Sequence, residues 1–172
     1  MRSLIIILLC ISLPAFARLN SCNFSSDFAE KYDEARRIFA ARLGASRATT
    51  PIGDRNAGIL RRRVHGGNWQ SSSLEAQIRR HFGNDNVKIQ VNGNGKMIIH
   101  PDPMTNGRPV ILFDVSGDYF RVADGKISSR GVDVGTKYYL SNGQPLGPTP
   151  NGMSTRQWLD RNVETTHFLA AP

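Results

Sequence analysis

The chain has 172 residues and a formal net charge of +8, from 22 Lys and Arg residues against 14 Asp and Glu residues. Hydrophobic residues make up 40% of it, which excludes a wholly disordered chain, and its length fits one domain with an N-terminal appendage. Two cysteines exclude a disulfide-built miniprotein and a cysteine-rich zinc module. The basic excess leaves three partner classes open, which are nucleic acid, anionic lipid and acidic protein.

The first residues predict a signal peptide over residues 1–17. Arg2 supplies a short basic segment, residues 4–13 form an apolar run, and residues 15–17 (Ala-Phe-Ala) have the small-x-small pattern of a signal-peptidase site. The apolar run is well short of the roughly 20 residues that a transmembrane helix needs. We therefore expect a secreted or periplasmic protein that begins at Arg18 and has no stable membrane insertion after cleavage.

Cleavage would leave Cys22 as the one cysteine of the mature chain. One interpretation is a lipid-attachment box at residues 19–22, and the other is a free thiol near the terminus. Arg18 and Asn20 are poor residues for such a box, so the free thiol is favoured. No disulfide is then expected, and the hydrophobic core must stabilise the fold.

Two amphipathic helices are predicted in the first half of the chain. Apolar residues recur every three or four positions in residues 26–43 and again in residues 71–82, so each segment has one apolar face. Residues 45–70 are rich in Gly, Arg and Asn and predict a linker or mobile basic loop. Whether the first helix packs on the later domain stays open. The predicted divisions are a signal peptide (1–17), a helix with a basic linker (18–70) and a C-terminal domain (71–172).

After residue 83 the apolar pattern changes to a period of two, which predicts strands. The predicted strands are 87–91, 96–100, 110–115, 119–124, 137–141 and 164–170. Residues 155–161 predict a short helix with Ser154 as its N-cap. The predicted fold class is α+β, with N-terminal helices followed by an antiparallel meander sheet of about five strands.

Alternation along these strands predicts one polar sheet face, because neighbouring strand residues point to opposite sides. The residues predicted to share this face are Arg121, Lys137, Tyr139 and His167. Such a face suits RNA cleavage, since a His can move a proton, cations can stabilise the phosphate, and the 2′-hydroxyl of RNA is a built-in nucleophile. An ordinary solvated sheet face carries the same residue types, and that interpretation also stays open.

The remaining candidates are phosphate-binding cations and metal ligands. Lys126, Arg130 and Lys137 are predicted to bind the substrate's phosphates. His100 with Asp102 is a weak hint of a metal, since a transition-metal site needs three or more convergent ligands. The sequence contains no HExxH motif, no CxxC motif, no P-loop and no nucleophile elbow. No metal and no cofactor are therefore expected.

Four segments carry a family resemblance. They are LEAQIRRHF at residues 74–82, FDVSGDYFRV at 113–122, YLSNGQP at 139–145 and THF at 166–168. In this order they resemble the C-terminal domains of bacterial polymorphic toxins, which end contact-dependent inhibition, haemagglutinin-like and Rhs-type proteins. The resemblance covers about residues 71–170, and each motif alone is weak.

The resemblance implies a metal-independent RNase of the barnase/EndoU/colicin/RelE-like architecture, with RNA, tRNA among the candidates, as its substrate. By position it makes His167 the general acid and base, Arg121 the cation on the phosphate, and Thr166 a hydrogen-bond donor. Alternation instead favours Thr165 for the active face, and the choice stays open. Tyr139 is the remaining candidate catalytic residue, as a hydrogen-bond donor.

Two features depart from the family pattern. This chain carries its own signal peptide instead of ending a giant delivery protein, and residues 125–135 are longer than expected between paired strands. We expect a monomer that has an acidic immunity protein as a partner, since a producing cell must neutralise its own RNase. The alternative is a non-enzymatic secreted basic module that binds nucleic acid, envelope polysaccharide or an acidic partner.

Overall fold

The computed structural model describes residues 21–46 and 57–171, and the predicted signal peptide at 1–17 lies outside them. The helices are α1 (Ser21–Ser46), α2 (Ala57–His65), α3 (Leu74–Phe82), α4 (Thr155–Arg161) and α5 (Val163–Thr166). The strands are β1 (Gln70–Ser73), β2 (Asn86–Val91), β3 (Lys96–Asp102), β4 (Pro109–Asp114), β5 (Tyr119–Ser128), β6 (Gly131–Tyr138) and β7 (Phe168–Ala171). No helix in the described ranges is long and apolar enough to cross a membrane.

The described residues form one seven-stranded sheet in the order β1-β7-β5-β4-β3-β2, and β6 pairs with β5. All strand pairs are antiparallel except β1 with β7, which is parallel. The predicted α+β class is confirmed. The predicted count of about five strands is too low, and two short helices precede the last strand.

One side of the sheet, the first face, carries the main hydrophobic core. Phe113 and Phe120 are buried there against α1 and α3, and Phe28 of α1 lies edge-on to Phe113 with the ring centroids 5.7 Å apart. Ile78 of α3 and Ala35 of α1 are fully buried in the same cluster. The first helix therefore belongs to the same core as the sheet.

The opposite side, the second face, is partly covered because the sheet curls. Pairing between β5 and β6 shifts register between Ala123 and Gly125, and a Cβ at Gly125 would collide with Met104 and Val110, so a glycine suits the bend at this point. The bend lays β6 over the far end of the second face. Val132 of β6 donates its backbone N–H to Gln90 Oε1 at 3.1 Å and accepts a hydrogen bond from Gln90 Nε2.

The segment predicted to be a loop, residues 45–70, is the largest secondary-structure correction. Residues 57–65 form α2, and Gln70 begins β1, which pairs with the last strand. Trp69 is buried between them in a cluster with Tyr119 and Val163. Local composition missed these elements because α2 and β1 are stabilised by contacts with residues about 50 to 100 positions away in sequence.

Two strand boundaries also differ from the prediction. Strand β6 spans 131–138 instead of 137–141, and the segment predicted as a strand at 164–170 begins as α5 and becomes a strand only at Phe168. The helix predicted at 155–161 is confirmed with the same bounds, and its N-cap Ser154 forms a capping box with Gln157. Capping is a local interaction, so the sequence alone shows it.

Candidate active site

His167 lies between α5 and β7, at the point where the chain enters the sheet. Its ring stacks on Trp69 with the centroids 5.4 Å apart and an interplanar angle of 22°. Tyr119 lies at the same centroid distance, and Tyr138 lies edge-on at 6.5 Å. The imidazole is only 1% exposed, so it sits inside an aromatic enclosure and not on the solvated face that alternation predicts.

The hydrogen bonds at Thr166 fix the tautomer of His167. The Thr166 hydroxyl lies 2.7 Å from the Asn162 carbonyl oxygen and 3.2 Å from His167 Nδ1. A carbonyl only accepts, so the hydroxyl donates its hydrogen to Asn162 and accepts one from Nδ1. Nε2 then carries the lone pair, and this atom has no hydrogen-bond partner among the described residues.

The imidazole is neutral near pH 7. Burial, followed by the positive charges of Arg121 and Arg61, lowers the pKa of His167 from 6.5 to about 3. A neutral imidazole with a free Nε2 lone pair has the form that a general base needs. A group with such a pKa gives up its proton readily once it has accepted one.

Arg121 points from β5 to the second face beside His167. Its guanidinium carbon lies 4.7 Å from the centroid of the Tyr138 ring, in a cation–π contact. Its Nε is buried without a hydrogen-bond partner in the described part of the chain. The neighbouring residue Phe120 is fully buried on the first face, as alternation predicts.

A line of hydrogen bonds and one ion pair leads from the sheet to Arg61 of α2. Arg61 Nη1 donates to the Tyr119 hydroxyl at 3.2 Å, and that hydroxyl donates to Asp114 Oδ2 at 3.1 Å. Lys96 Nζ lies 2.7 Å from the same carboxylate oxygen. These contacts position the Arg61 guanidinium and connect α2 to β3, β4 and β5.

The protonation states along this line are settled by burial and charge. Burial alone would raise the pKa of Asp114, but Lys96 and the hydrogen bonds from Ser116 and Tyr119 outweigh it and lower the pKa below 3.8. Burial and the charge of Asp114 raise the pKa of Tyr119 to about 12. The carboxylate is therefore charged and the phenol protonated at neutral pH, so each hydrogen bond has its donor.

These groups meet at one cleft of about 370 Å³. Its walls include Arg61, Arg121, Thr136, Tyr138, Thr155 and His167, and Arg156 and Asp160 lie at its rim. The two rim residues are exposed and lie 3.9 Å apart, so their charges largely offset each other. Apart from the rim pair, the cleft walls therefore carry two guanidiniums, two threonine hydroxyls, the Tyr138 phenol and one buried neutral imidazole.

The structure brings together some of the predicted site residues. His167 and Arg121 line the same cleft, and Thr166 lies against His167; their catalytic roles stay a prediction. Thr166 is buried against His167, whereas Thr165 is exposed and bonds to the Asn162 carbonyl. Alternation pointed to the wrong threonine because this segment is the helical turn α5 and not a strand.

Tyr139 is not on the predicted face. It packs with the first-face core and lies edge-on to His81 of α3, with the ring centroids 5.3 Å apart. Tyr138 takes the place beside Arg121, because it pairs with Ala123, which shares a sheet side with Arg121. Val132 and Val134 of β6 pack on the same second face as Tyr138, so alternation holds along β6, and the prediction was wrong in assigning Tyr138 and not Tyr139 to the main core.

The three predicted substrate-binding cations lie outside the cleft walls. Lys126 and Arg130 are exposed on the β5–β6 hairpin, where Lys126 pairs with Asp133 in the strand ladder. Lys137 is exposed and lines an adjoining cleft of about 480 Å³, which shares Thr136 and Tyr138 with the first. Their role in binding a polymer stays a prediction.

Sequence reasoning missed Arg61, Tyr119 and Trp69 as site residues. Arg61 belongs to a run of three arginines that the sequence placed in a loop, and its helix is seen only in the folded chain. Trp69 in a Gly- and Asn-rich stretch was the available signal, since a lone Trp in a polar segment often marks a packed position.

The weak metal hint at His100 and Asp102 finds no support. Asp102 pairs with Lys88 at 2.8 Å, and His100 is buried with Nδ1 2.9 Å from the Pro101 carbonyl oxygen. Among the described residues, no group of three or more His, Cys, Asp or Glu side chains is arranged to hold a metal ion.

No family model, curated protein or solved structure matches this chain. The toxin-domain resemblance therefore stays an expectation from the sequence motifs. The case for a function depends on the chemistry of the cleft between α2, β5, β6 and α4.

Proposed function

We propose that the protein is a secreted, metal-independent endoribonuclease that cleaves RNA through attack of a 2′-hydroxyl on the adjacent phosphate. The observation that carries the proposal is the unpaired Nε2 of a neutral His167 beside the Arg121 guanidinium in one cleft. A base and a fixed cation are the two groups that this reaction needs from a protein.

In the proposed reaction, His167 Nε2 takes the proton of the 2′-hydroxyl while the oxygen attacks phosphorus. Arg121 stabilises the negative charge that builds on the phosphate oxygens. The bond from phosphorus to the 5′-oxygen breaks, and the leaving oxygen takes up a proton from the imidazolium or from water. The products are a 2′,3′-cyclic phosphate and a free 5′-hydroxyl. Thr166 keeps Nδ1 as the donor and so keeps the lone pair on Nε2.

The burial of His167 favours a second candidate function. Because the imidazole is only 1% exposed, a substrate must displace neighbouring side chains to reach Nε2. A basic module that binds an anionic polymer in the cleft without turnover needs no such displacement. This candidate predicts salt-dependent binding that does not depend on His167.

An RNA-cleavage assay in EDTA separates the two candidates. We expect the purified protein to cleave a mixed cellular RNA pool, to leave 2′,3′-cyclic phosphate ends, and to leave DNA of the same length intact. The His167→Asn variant, whose amide can keep the contact with Thr166, should bind RNA but not cleave it. RNA binding without cleavage by the wild type would favour the second candidate.

The proposed secretion is supported by the signal-peptide pattern of residues 1–17. Protein recovered from the periplasm or medium should begin at Arg18, and a chain that keeps residues 1–17 there would contradict it. The toxin role and the acidic immunity partner are supported by the motif order alone. Expression without residues 1–17 in a bacterial cytoplasm should stop growth and degrade RNA, and His167→Asn should remove both effects.

A further inference from the structure

Two partly buried arginines in the cleft lack a carboxylate partner among the described residues. Arg62, Arg79 and Arg108 each form an ion pair with an acid. Neither Arg61 nor Arg121 has an ion pair within the described ranges. They come from different elements, α2 and β5, yet line the same cleft.

Each guanidinium is held in place by an uncharged aromatic residue. Arg61 donates to the Tyr119 hydroxyl, and Arg121 stacks over the Tyr138 ring. These contacts orient each guanidinium group without neutralising its positive charge. Two like charges that share a cleft repel each other, so the arrangement is more stable with an anion between them.

An unpaired donor indicates where such an anion would bind. Arg121 Nε is an N–H donor that is buried without a hydrogen-bond partner among the described residues. His167 Nε2 also lacks a partner there, but it is an acceptor and would face the attacking hydroxyl and not the anion. Buried donors and acceptors usually have a partner, and those that lack one are candidates for ligand contacts. The planar guanidinium fork matches two oxygens of a phosphate group.

We propose that Arg61 and Arg121 together bind one phosphodiester group of the substrate, with Arg61 as the second cation of the site. The hydroxyls of Thr136 and Thr155 line the same cleft and can donate to the same oxygens. This subsite rests on the proposed function for the identity of the polymer, because the cleft itself recognises only the phosphate. The exposed Arg156 and Asp160 pair lies at the entrance and adds little net charge.

A purely structural role for Arg61 makes a different prediction. If Arg61 only holds α2 against the sheet, its loss lowers stability and weakens all ligands alike. If it binds the phosphate, its loss weakens only ligands that carry the charge. A charged and an uncharged ligand of the same shape therefore distinguish the two roles.

The probes are a 2′-deoxy dinucleotide with a normal phosphodiester and the same dinucleotide with a neutral methylphosphonate. Neither has a 2′-hydroxyl, so neither is cleaved. We expect the wild type to bind the phosphodiester about tenfold or more tightly than the methylphosphonate at low ionic strength. Arg61→Gln and Arg121→Gln should each remove most of that preference. Calorimetry or NMR titration measures the dissociation constants.

Arg63→Gln is the matched control. Arg63 lies on the same helix, is exposed and carries the same charge, so its loss changes the net charge by the same amount. We expect it to keep the wild-type preference. Equal loss of preference in Arg61→Gln and Arg63→Gln, or no preference in the wild type, would overturn the proposal. If Arg61→Gln unfolds, two other variants test the same preference for the phosphodiester. One is Arg121→Gln. The other is Tyr119→Phe, which keeps Arg61 but removes the hydroxyl that accepts its hydrogen bond.

The experiment also separates this subsite from the proposed cleavage. His167→Asn should keep the preference for the phosphodiester although it cannot cleave RNA. A preference that depends on Arg61 in a protein without RNase activity would support the subsite and refute the cleavage. If the protein cleaves RNA but its preference for the phosphodiester does not depend on Arg61 or Arg121, the subsite is refuted and the cleavage proposal is unaffected.

Discussion

Two histidines on opposite sides of the sheet, the half-buried His81 of α3 and the buried His167, show what makes an imidazole a candidate site. Burial lowers the pKa of His81 to about 4 and that of His167 to about 3, so both are neutral. Both have an unpaired buried Nε2 in the described structure. His81 packs against the Tyr139 ring on the first face, whereas His167 shares a cleft with two arginines that lack acidic partners. Arg80 also lowers the pKa of His81, so it is the cleft shared with Arg61 and Arg121, and not the low pKa or a nearby cation, that sets His167 apart.

The two faces also differ in what stabilises them. The first face is an apolar core of aliphatic and aromatic side chains between the sheet and two helices. The second face carries a polar line from Lys96 through Asp114 and Tyr119 to Arg61, of which Asp114 and Tyr119 are buried. A buried polar group adds less to stability than an apolar side chain of the same size, so its presence there suggests a role in positioning.

The largest stability effect is expected on the first face. Phe120 is fully buried, so Phe120→Ala should lower the free energy of unfolding by about 3–5 kcal/mol through lost burial and a cavity. Urea denaturation measures this change. A loss below about 1 kcal/mol would show that the first face is not the main core.

The adjacent residue on the second face should respond differently. Tyr119→Phe keeps the ring but removes the acceptor of Arg61 and one donor to Asp114, which should cost about 1–3 kcal/mol of stability. It should also reduce the binding preference for a phosphodiester over a methylphosphonate. If stability falls but the preference is unchanged, Tyr119 does not position Arg61.

A pH effect on stability should follow from the two neutral histidines. Below pH 6.5 the unfolded chain binds protons that folded His167 does not, so the free energy of unfolding should fall as the pH drops from 6.5 towards 3. One such group contributes a slope of at most about 1.4 kcal/mol per pH unit. His81 acts in the same direction, so His167→Asn should flatten the slope without removing it. An unchanged slope would mean that His167 titrates normally.

The smallest effects are expected from the exposed cations outside the cleft walls. Replacing Lys126, Arg130 or Lys137 with Gln should weaken RNA binding by about twofold to threefold each, because exposed charges contribute only a few tenths of a kcal/mol to about 1 kcal/mol. Filter binding at two salt concentrations measures this. A tenfold loss of RNA affinity in any of these variants would indicate that the RNA-binding surface lies closer to the β5–β6 hairpin.

Local signals in the sequence were sufficient for some elements and not for others. The helix at 155–161 was predicted with its bounds because its N-cap and capping box lie within four residues. His167 and Arg121 were placed together because alternation is reliable near Phe120 and Phe168. Tyr139 was assigned to the wrong face because Tyr138 and Tyr139 are both aromatic, and local alternation does not show which of the two enters the main core.

Arg61 shows the other limit of sequence reasoning. Its helix lies in a Gly- and Arg-rich segment, and its contact with Tyr119 joins residues 58 positions apart. Such a contact depends on how α2 lies on the folded sheet. The cleft could therefore be predicted on its strand side, from Arg121 and His167, but not on its helix side.

The most direct test of the account is the initial rate of RNA cleavage in EDTA by the wild type, His167→Asn and His81→Asn. Both variants replace a neutral histidine whose Nε2 is buried with the same residue, and melting curves confirm that each is folded. We expect His167→Asn to lose about 100-fold or more of the rate and His81→Asn to keep it within a few-fold. Equal rates in the two variants, or a wild type that does not cleave RNA, would contradict the assignment of the second face as a ribonuclease site.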